Sequence, residues 1–239
     1  MRHQAEQFAV NGQDAFLVRP EATVAQKPMP WIWYAPTLPN LPGEEENWMF
    51  DRFLGNGIAV AGIDVGESYG SPGGTGLYSQ LYGDLVEKRG WSDRPGLLGR
   101  SRGGLMLYNW AVENPHRVAC IAGIYPVCNL NSYPGLDEAC HAYHLTSKAL
   151  ASQVIRHNPI DRLEPLARAR VPVFHIHGDN DDVVPLEDNS LVLYQRYLAL
   201  DGPMTLEVVS GGGHDMWPGW FESQALVDFM LKHVARTEI

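Results

Sequence analysis

Short apolar runs, each followed by a helix-like segment, recur along most of the chain. The runs are nearly continuous in apolar residues, which is typical of strands buried on both faces of a parallel sheet. They occupy residues 31–35, 58–63, 96–98, 118–125, 171–176 and 205–209, and helical patterns occupy 45–54, 103–114, 186–200 and 222–234. This alternation predicts an α/β fold with three layers, in which a mostly parallel, twisted sheet has helices on both faces.

The first eighteen residues depart from this alternation. Two short apolar runs, 8–10 and 15–18, lie on either side of Asn11 and Gly12. Asn-Gly between short apolar runs is a strong signal for a tight hairpin turn. We therefore expect the chain to open with an antiparallel hairpin at the edge of the sheet.

Residues 126–166 form the longest interruption of the pattern. Pro134, Pro159 and Pro165 break this stretch, and its one convincing helical pattern lies near 147–155. An insertion that leaves the carboxyl end of a strand is placed to cover a site at that edge of the sheet. The sequence thus predicts one domain over all 239 residues, with this stretch as a cap or lid.

Composition limits the partners of the chain. Lys and Arg number 18 against 28 Asp and Glu, a formal charge of -10, so no broad basic surface is available for nucleic acid or an anionic membrane. No apolar stretch reaches the ~18 residues of a membrane-spanning helix, and the polar residues 1–7 show no secretory signal. Cys120, Cys128 and Cys140 are odd in number and lack Cys-x-x-Cys spacing, which favours reduced thiols. We expect a soluble, cytoplasmic protein of undetermined oligomeric state.

Ser101 lies in the sequence GRSRG at 99–103, between a predicted strand and a predicted helix. A serine in a sharp strand-to-helix turn of the form G-x-S-x-G is the nucleophile elbow of serine hydrolases. The turn brings its neighbours close to the strand and the helix, so side chains at Gly99 and Gly103 would collide there. A helix N-cap serine after a glycine turn is the alternative.

Carboxylates and an imidazole follow the last two predicted strands. Asp179, Asp181 and Asp182 follow the next-to-last strand, and His214 follows the last strand after three glycines, on a loop that we expect to be mobile. The carboxyl ends of parallel strands meet at one edge of a sheet, so these groups should lie near Ser101. A serine hydroxyl needs an imidazole as its base and a carboxylate to orient that imidazole.

The order serine, aspartate, histidine resembles that of the α/β-hydrolase superfamily, and the resemblance covers residues 28–234. In its serine esterases and prolyl-oligopeptidase-like peptidases, a His-Gly-x-x-Asp pattern carries the acid of the catalytic triad at its fifth position. That pattern begins here at His177, so the resemblance implies Asp181 as the acid, with the neighbouring aspartates as alternatives. It implies a triad of Ser101, Asp181 and His214 and no cofactor.

An oxyanion hole should accompany the triad. The backbone amide of Arg102, at the positive end of the predicted helix, is the first expected donor. The resemblance places the second donor in the loop after the third strand, where the common His-Gly pair is absent. Pro36 has no amide hydrogen, so Thr37 or Leu38 is the candidate.

Four side chains are candidates for substrate contact. The guanidinium of Arg102 would favour a carboxylate or sugar hydroxyls, with a salt bridge or a solvent-facing side chain as the alternative. Glu67 and Tyr69 follow the fourth predicted strand, and Trp217 closely follows His214. Turn structure and core packing are the alternatives for these three.

Two further motifs suggest different chemistry. His175 and His177, followed by Asp179, loosely resemble a run of metal ligands, but they explain neither Ser101 nor His214, and we predict no metal. The glycine-rich stretch 70–76 is not followed by Lys-Ser or Lys-Thr, which argues against a phosphate loop.

The sequence therefore predicts a serine hydrolase that cleaves a carboxylic ester of a small molecule through an acyl-enzyme intermediate. A carbohydrate-linked ester is the more specific expectation. The alternatives are a prolyl-oligopeptidase-like serine peptidase and a non-catalytic ligand-binding protein on the same scaffold, since a fold does not determine a function.

Overall fold

The computed structural model describes residues 4–234, so the polar segment 1–7 lies partly outside the described residues. One sheet of eight strands has the order β1-β2-β4-β3-β5-β6-β7-β8. Its strands are β1 (Glu6–Val10), β2 (Gln13–Val18), β3 (Trp31–Ala35), β4 (Ala59–Ile63), β5 (Gly96–Arg100), β6 (Cys120–Ile124), β7 (Val173–Gly178) and β8 (Met204–Val209). The β1–β2 and β2–β4 pairs are antiparallel, and the pairs from β4 through β8 are parallel.

Helices follow most of the parallel strands. They are α1 (Asn47–Gly55), α2 (Pro72–Gly83), α3 (Gly103–Glu113), α4 (Leu136–Ala142), α5 (Ser147–Ala151), α6 (Glu164–Arg168), α7 (Val192–Ala199), α8 (Pro218–Phe221) and α9 (Gln224–Val234). A π-helical turn, Asp84–Lys88, extends α2, and a second, Glu187–Leu191, leads into α7. Short 3-10 turns lie at Pro115–Arg117, Val154–Arg156 and Pro159–Asp161.

The core lies on both faces of the sheet. Successive side chains of a strand point to opposite faces, and Trp33 and Leu97 accordingly pack on one side with α2, α3, α6 and α7. Ile32 and Leu98 pack on the other side with α1, α8 and α9. The three-layer α/β fold and the N-terminal antiparallel hairpin predicted from the sequence are confirmed.

The helix α2 falls in the glycine-rich stretch for which the sequence predicted no helix. Glycine lowers helix propensity by about 1 kcal/mol per residue relative to alanine. Ser71 offsets part of this cost, because its side chain accepts a hydrogen bond from the amide of Gly74 at 3.4 Å, and Pro72 occupies the first helical position. A Cβ on Gly74 would collide with Ser68, so close packing explains this glycine.

The segment between β6 and β7 holds α4, α5 and α6, of which α4 and α6 were not predicted. The helix expected near 147–155 ends at Ala151 and gives way to a 3-10 turn. Leu130, Ala139 and Leu150 form a small core with Leu105 of α3. This segment therefore packs over the N-terminal half of α3. Its role as a lid stays a prediction.

Cys120, Cys128 and Cys140 are buried thiols. Within residues 4–234, no helix has the length and apolar character needed to cross a membrane.

Candidate active site

Ser101 occupies the sharp turn between β5 and α3. Its φ angle is 49°, a left-handed conformation that costs a non-glycine residue about 1–3 kcal/mol. Hydrogen bonds hold the turn, since the Ser101 amide donates to the Ile124 carbonyl at 3.0 Å and the Ser101 carbonyl accepts from the Val127 amide at 2.8 Å. A Cβ on Gly103 would collide with the Ala35 carbonyl, so glycine is required there. The elbow therefore packs directly against the end of β3.

The structure brings Ser101, His214 and Asp181 into one hydrogen-bonded row. The Oγ of Ser101 lies 2.9 Å from Nε2 of His214, and Nδ1 of His214 lies 2.8 Å from Oδ2 of Asp181. Because the carboxylate can only accept, the imidazole carries its proton on Nδ1 and presents a lone pair to the serine hydroxyl. This is the arrangement that proton transfer from a serine nucleophile requires.

Asp181 is held as an anion. Its Oδ1 accepts hydrogen bonds from the amides of Val183 at 3.0 Å and Val184 at 2.7 Å. Burial raises the pKa of Asp181, but hydrogen bonds from His177, His214 and the Val184 amide outweigh burial and hold the pKa well below its usual range. The carboxylate is therefore ionised at neutral pH.

The other two aspartates of this loop, Asp179 and Asp182, are exposed and have different surroundings. Asp179 accepts a hydrogen bond from the Gly211 amide at 2.6 Å, so it holds the loop that carries His214. Asp182 lies at the surface. Asp181 is the aspartate of the three that reaches His214.

Side-chain contacts anchor the loop that carries His214, and its mobility stays a prediction. Asp215 accepts hydrogen bonds from the Trp217 amide at 3.0 Å and from Nε1 of Trp220 at 2.8 Å. The Tyr125 hydroxyl donates to the Asp215 carbonyl, and the Tyr125 ring centre lies 4.4 Å from that of His214. These contacts hold the loop and pack an aromatic ring against the imidazole. The sequence analysis missed Tyr125, whose place at the end of β6 was the available signal.

The predicted oxyanion donors lie at the start of α3 and in the loop that follows β3. The amide of Arg102 is at the N-terminus of α3, where helix amides lack intrahelical partners. Thr37 is buried and extends the pairing of β3 with β4 through a bridge to Asp64. The Leu38 amide donates to the Leu41 carbonyl at 3.3 Å, so it is already engaged.

Residues 85–236 match the family model described as the prolyl oligopeptidase family. The match covers more than half of the chain and contains the serine, aspartate and histidine of the row. The chain belongs to the prolyl oligopeptidase family. This confirms the resemblance to the prolyl-oligopeptidase-like branch of the α/β-hydrolases, and the family is one of serine hydrolases. No curated protein sequence matches the chain.

Solved structures share the fold of this prolyl oligopeptidase family chain at low sequence identity. Dipeptidyl peptidase 4 of Porphyromonas gingivalis has a TM-score of 0.73 at 14% identity, over 96% of this chain and 35% of the peptidase. MPT51 of Mycobacterium tuberculosis has a TM-score of 0.74 at 16% identity, over 97% and 99% of the two chains. An S-formylglutathione hydrolase from Agrobacterium tumefaciens has 0.68 at 17%, over 97% and 94%. The chain thus spans about a third of the peptidase.

The side chain of Arg102 forms an ion pair with Glu67. Nε of Arg102 lies 2.9 Å from Oε2 of Glu67, although the N–H is not aligned as a hydrogen bond. The side chains are 27% and 46% exposed, so both remain accessible at the mouth of the elbow. The salt bridge weighed as an alternative for Arg102 is therefore present, with Glu67 as its partner.

The other two candidate substrate residues differ in exposure. Tyr69 is buried, and burial together with the nearby Glu67 carboxylate raises the pKa of Tyr69 to about 12, so its phenol is neutral. Its carbonyl accepts a hydrogen bond from the Tyr143 hydroxyl of the inserted segment at 3.0 Å. Trp217 is half exposed and packs edge-on against Trp220, with ring centres 5.3 Å apart. Trp217 therefore presents an aromatic surface on the segment that follows His214.

A buried ion pair that the sequence analysis missed lies beneath the elbow. Nη1 of Arg100 lies 2.8 Å from Oε1 of Glu46, which also accepts from the Tyr34 hydroxyl at 2.6 Å. Glu46 is fully buried, and its Oε2 accepts from the Gly43 amide at 2.8 Å. A run of three glutamates such as that at 44–46 is typical of a solvated surface. The burial of Glu46 therefore becomes evident only from its contact with Arg100. The pair ties the elbow to the segment before α1.

His175 and His177 are buried and hydrogen-bonded to protein groups through both ring nitrogens. Among residues 4–234, no group of three His, Cys, Asp or Glu side chains is placed to hold a metal ion.

Proposed function

We propose that this chain is a serine hydrolase that cleaves carboxylic esters of small molecules, with Ser101 as nucleophile, His214 as base and Asp181 as the orienting acid. The observation that carries the proposal is the continuous row from Ser101 Oγ to Asp181, with distances of 2.9 and 2.8 Å and an ionised carboxylate at its end. The family match supports the same reaction class.

The geometry supports a two-step reaction. His214 takes the proton of Ser101 as Oγ attacks the ester carbonyl, and Asp181 stabilises the imidazolium that forms. The imidazolium then protonates the leaving alcohol, which yields an acyl-enzyme on Ser101. A water molecule, deprotonated by the same imidazole, releases the acid and regenerates the serine.

The oxyanion of each tetrahedral intermediate needs two fixed donors. We assign the amide of Arg102 as the first, because it lies at the positive end of α3 beside the nucleophile. We assign Thr37 as the second, because the elbow packs against the end of β3 and the Leu38 amide already binds Leu41. Loss of one such donor costs about 3 kcal/mol in transition-state stabilisation.

The ion pair of Arg102 and Glu67 favours a sugar-linked ester over a carboxylate-bearing one. A free guanidinium would attract a carboxylate, but Glu67 already neutralises this one and would repel such a substrate. The pair presents hydrogen-bond donors beside acceptors, a combination that matches neighbouring hydroxyl groups. The half-exposed ring of Trp217 adds an apolar face of the kind on which a sugar ring can lie.

Peptide hydrolysis is the second candidate, and the family match is the observation that favours it. The same serine and histidine would act, with an amine as the leaving group. Activity on p-nitrophenyl acetate with none on aminoacyl or prolyl p-nitroanilides supports the esterase. The reverse preference supports the peptidase.

The mechanism is tested with a fluorophosphonate probe and with p-nitrophenyl acetate hydrolysis, on wild type, Ser101→Ala and His214→Ala. We expect labelling and hydrolysis by the wild type and the loss of both in the two variants, with no effect of EDTA. EDTA-sensitive activity that survives in Ser101→Ala would overturn the proposal. Tight ligand binding by an unlabelled wild type would instead support the non-catalytic binding protein.

A further inference from the structure

Behind Asp181, four buried polar side chains form an unbroken row that the proposed mechanism does not use. The Tyr108 hydroxyl lies 2.8 Å from Nε2 of His175, and Nδ1 of His175 lies 2.9 Å from Oγ of Ser190. The same Oγ lies 2.8 Å from Nδ1 of His177. Nε2 of His177 lies 2.8 Å from the Val184 carbonyl oxygen. We call these four side chains the buried relay.

The relay ends at the carboxylate of the catalytic row. Nε2 of His177 also lies 3.3 Å from Oδ2 of Asp181, the same oxygen that accepts from His214. Val184 links the two a second time, because its carbonyl accepts from His177 while its amide donates to Oδ1 of Asp181. His177 therefore holds the carboxylate both by direct contact and through the turn that carries it.

The donors of the relay all point toward Asp181. A carbonyl oxygen only accepts, so His177 carries a proton on Nε2, and we infer that its Nδ1 accepts from the hydroxyl of Ser190. The Ser190 oxygen then accepts from Nδ1 of His175, whose Nε2 accepts from Tyr108. The opposite direction would leave the hydroxyl proton of Tyr108 without an acceptor within residues 4–234. Burial lowers the pKa of His175 to about 3, so this ring is neutral.

The local backbone is shaped to supply Ser190. This residue lies in the π-helical turn Glu187–Leu191, which follows the Asp181 loop, and such turns are frequent at functional sites. The preceding Asn189 accepts hydrogen bonds from the amides of Cys128 and Asn129 with its side-chain oxygen. The turn thus directs Asn189 to the start of the inserted segment and Ser190 to the imidazoles of His175 and His177.

We propose that His177 is a positioning residue for Asp181, and that Ser190, His175 and Tyr108 fix the tautomer in which His177 donates from Nε2. The other tautomer would place a lone pair of Nε2 against two oxygen atoms. Asp181 would then lose a donor, and its alignment with His214 would relax. This inference rests on the proposed function, in which Asp181 orients His214.

The first test is Ser190→Ala, measured by p-nitrophenyl acetate kinetics and by NMR of the ring nitrogens and the His214 Nδ1 proton. The variant removes the hydroxyl between the two imidazoles without touching the triad. We expect kcat to fall with KM unchanged, the 15N shifts of His177 to report a mixture of tautomers, and the His214 proton resonance to move upfield. An unchanged kcat together with a single Nε2–H tautomer would overturn the proposal.

A graded series separates positioning from packing. We expect His177→Leu to lower kcat by up to about 100-fold, as a small misplacement of a catalytic group can do. His177→Gln, which keeps an N–H near Nε2, should recover part of that loss. Tyr108→Phe should have the smallest effect and carries the test if Ser190→Ala does not fold. Equal losses in His177→Leu and His177→Gln would contradict a role for the donor.

Tyr197→Phe is the matched control, because Tyr197 is a fully buried tyrosine whose hydroxyl donates to the Val171 carbonyl at 2.7 Å rather than to a member of the relay. It should lower the thermal stability and leave kcat unchanged.

Fluorophosphonate labelling of the wild type distinguishes failure of the proposed function from failure of the relay inference. An unlabelled wild type means that the proposed function fails, whereas a labelled wild type and an equally fast Ser190→Ala mean that the relay inference alone fails.

Discussion

The two arginines that flank Ser101 form ion pairs in opposite environments. Arg100, the last residue of β5, binds Glu46 in the interior, where the side chains are 13% and 0% exposed. Arg102, beyond the turn, binds Glu67 at the surface, where the side chains are 27% and 46% exposed. The distances are nearly equal, at 2.8 and 2.9 Å. The two pairs therefore differ in burial and not in distance, and we expect them to have different roles.

Burial changes what each pair contributes. A buried carboxylate is tolerated only while its partners remain, so the pair of Arg100 and Glu46 fixes the elbow to the rest of the fold. An exposed pair contributes little to stability because water and salt screen it. A guanidinium at the positive end of α3 is unfavourable, and Glu67 offsets that charge. We infer that the inner pair contributes mainly to stability, and the role proposed for the outer pair is in substrate choice.

The largest expected effect is that of Glu46→Ala on stability. The change leaves the guanidinium of Arg100 buried without its anion, and the Tyr34 hydroxyl and Gly43 amide lose their acceptor. Removing one partner of a buried pair costs about 3–5 kcal/mol. We expect the free energy of unfolding, measured by urea denaturation, to fall by that amount. A loss below about 1 kcal/mol would mean that the inner pair behaves like a surface pair.

A smaller loss is expected from Tyr34→Phe, which keeps both charges and removes one donor to Glu46. Hydrogen bonds to charged groups contribute about 1.5–3 kcal/mol. The free energy of unfolding should fall within that range, and the fluorophosphonate labelling rate of the folded protein should stay unchanged. A loss of labelling without a loss of stability would show that Tyr34 acts on the chemistry rather than on the fold.

A contrast between local patterns and contacts of distant side chains explains which features could be predicted from the sequence. The strand pattern and the elbow motif were readable because they depend on local periodicity and on glycines at fixed spacing. The row from Ser101 to His214 was readable because parallel strands end at one edge of the sheet. Contacts between distant side chains carry no such signal, so nothing in the sequence marked Glu46 as a buried partner of Arg100. His175 and His177 loosely resembled metal ligands, although no metal was predicted, and their link to Asp181 was missed. The helix α2 was hidden because close packing, rather than propensity, selects Gly74.

Arg102→Ala tests the outer pair through substrate choice. We expect turnover of p-nitrophenyl acetate to change little, and kcat/KM for an acetylated sugar to fall about tenfold, which corresponds to about 1.4 kcal/mol. The reason is that p-nitrophenyl acetate has no hydroxyl groups for the ion pair of Arg102 and Glu67 to bind, whereas the sugar has several. Arg102→Lys is the matched variant, since it keeps the charge but not the paired donors. An equal loss on both esters would exclude a role in specificity.

The smallest effect should come from Glu67→Gln, and it is the sharpest contrast with Glu46. The exposed pair is worth about 0–1 kcal/mol, so the free energy of unfolding should change by no more than that, and added salt should reduce the difference further. The same change removes the negative charge that repels anionic substrates. Turnover of a carboxylate-bearing ester should therefore rise relative to the acetate ester, because Arg102 is released from its partner. If Glu67→Gln instead destabilised the protein as strongly as Glu46→Ala, exposure would not be what separates the two pairs.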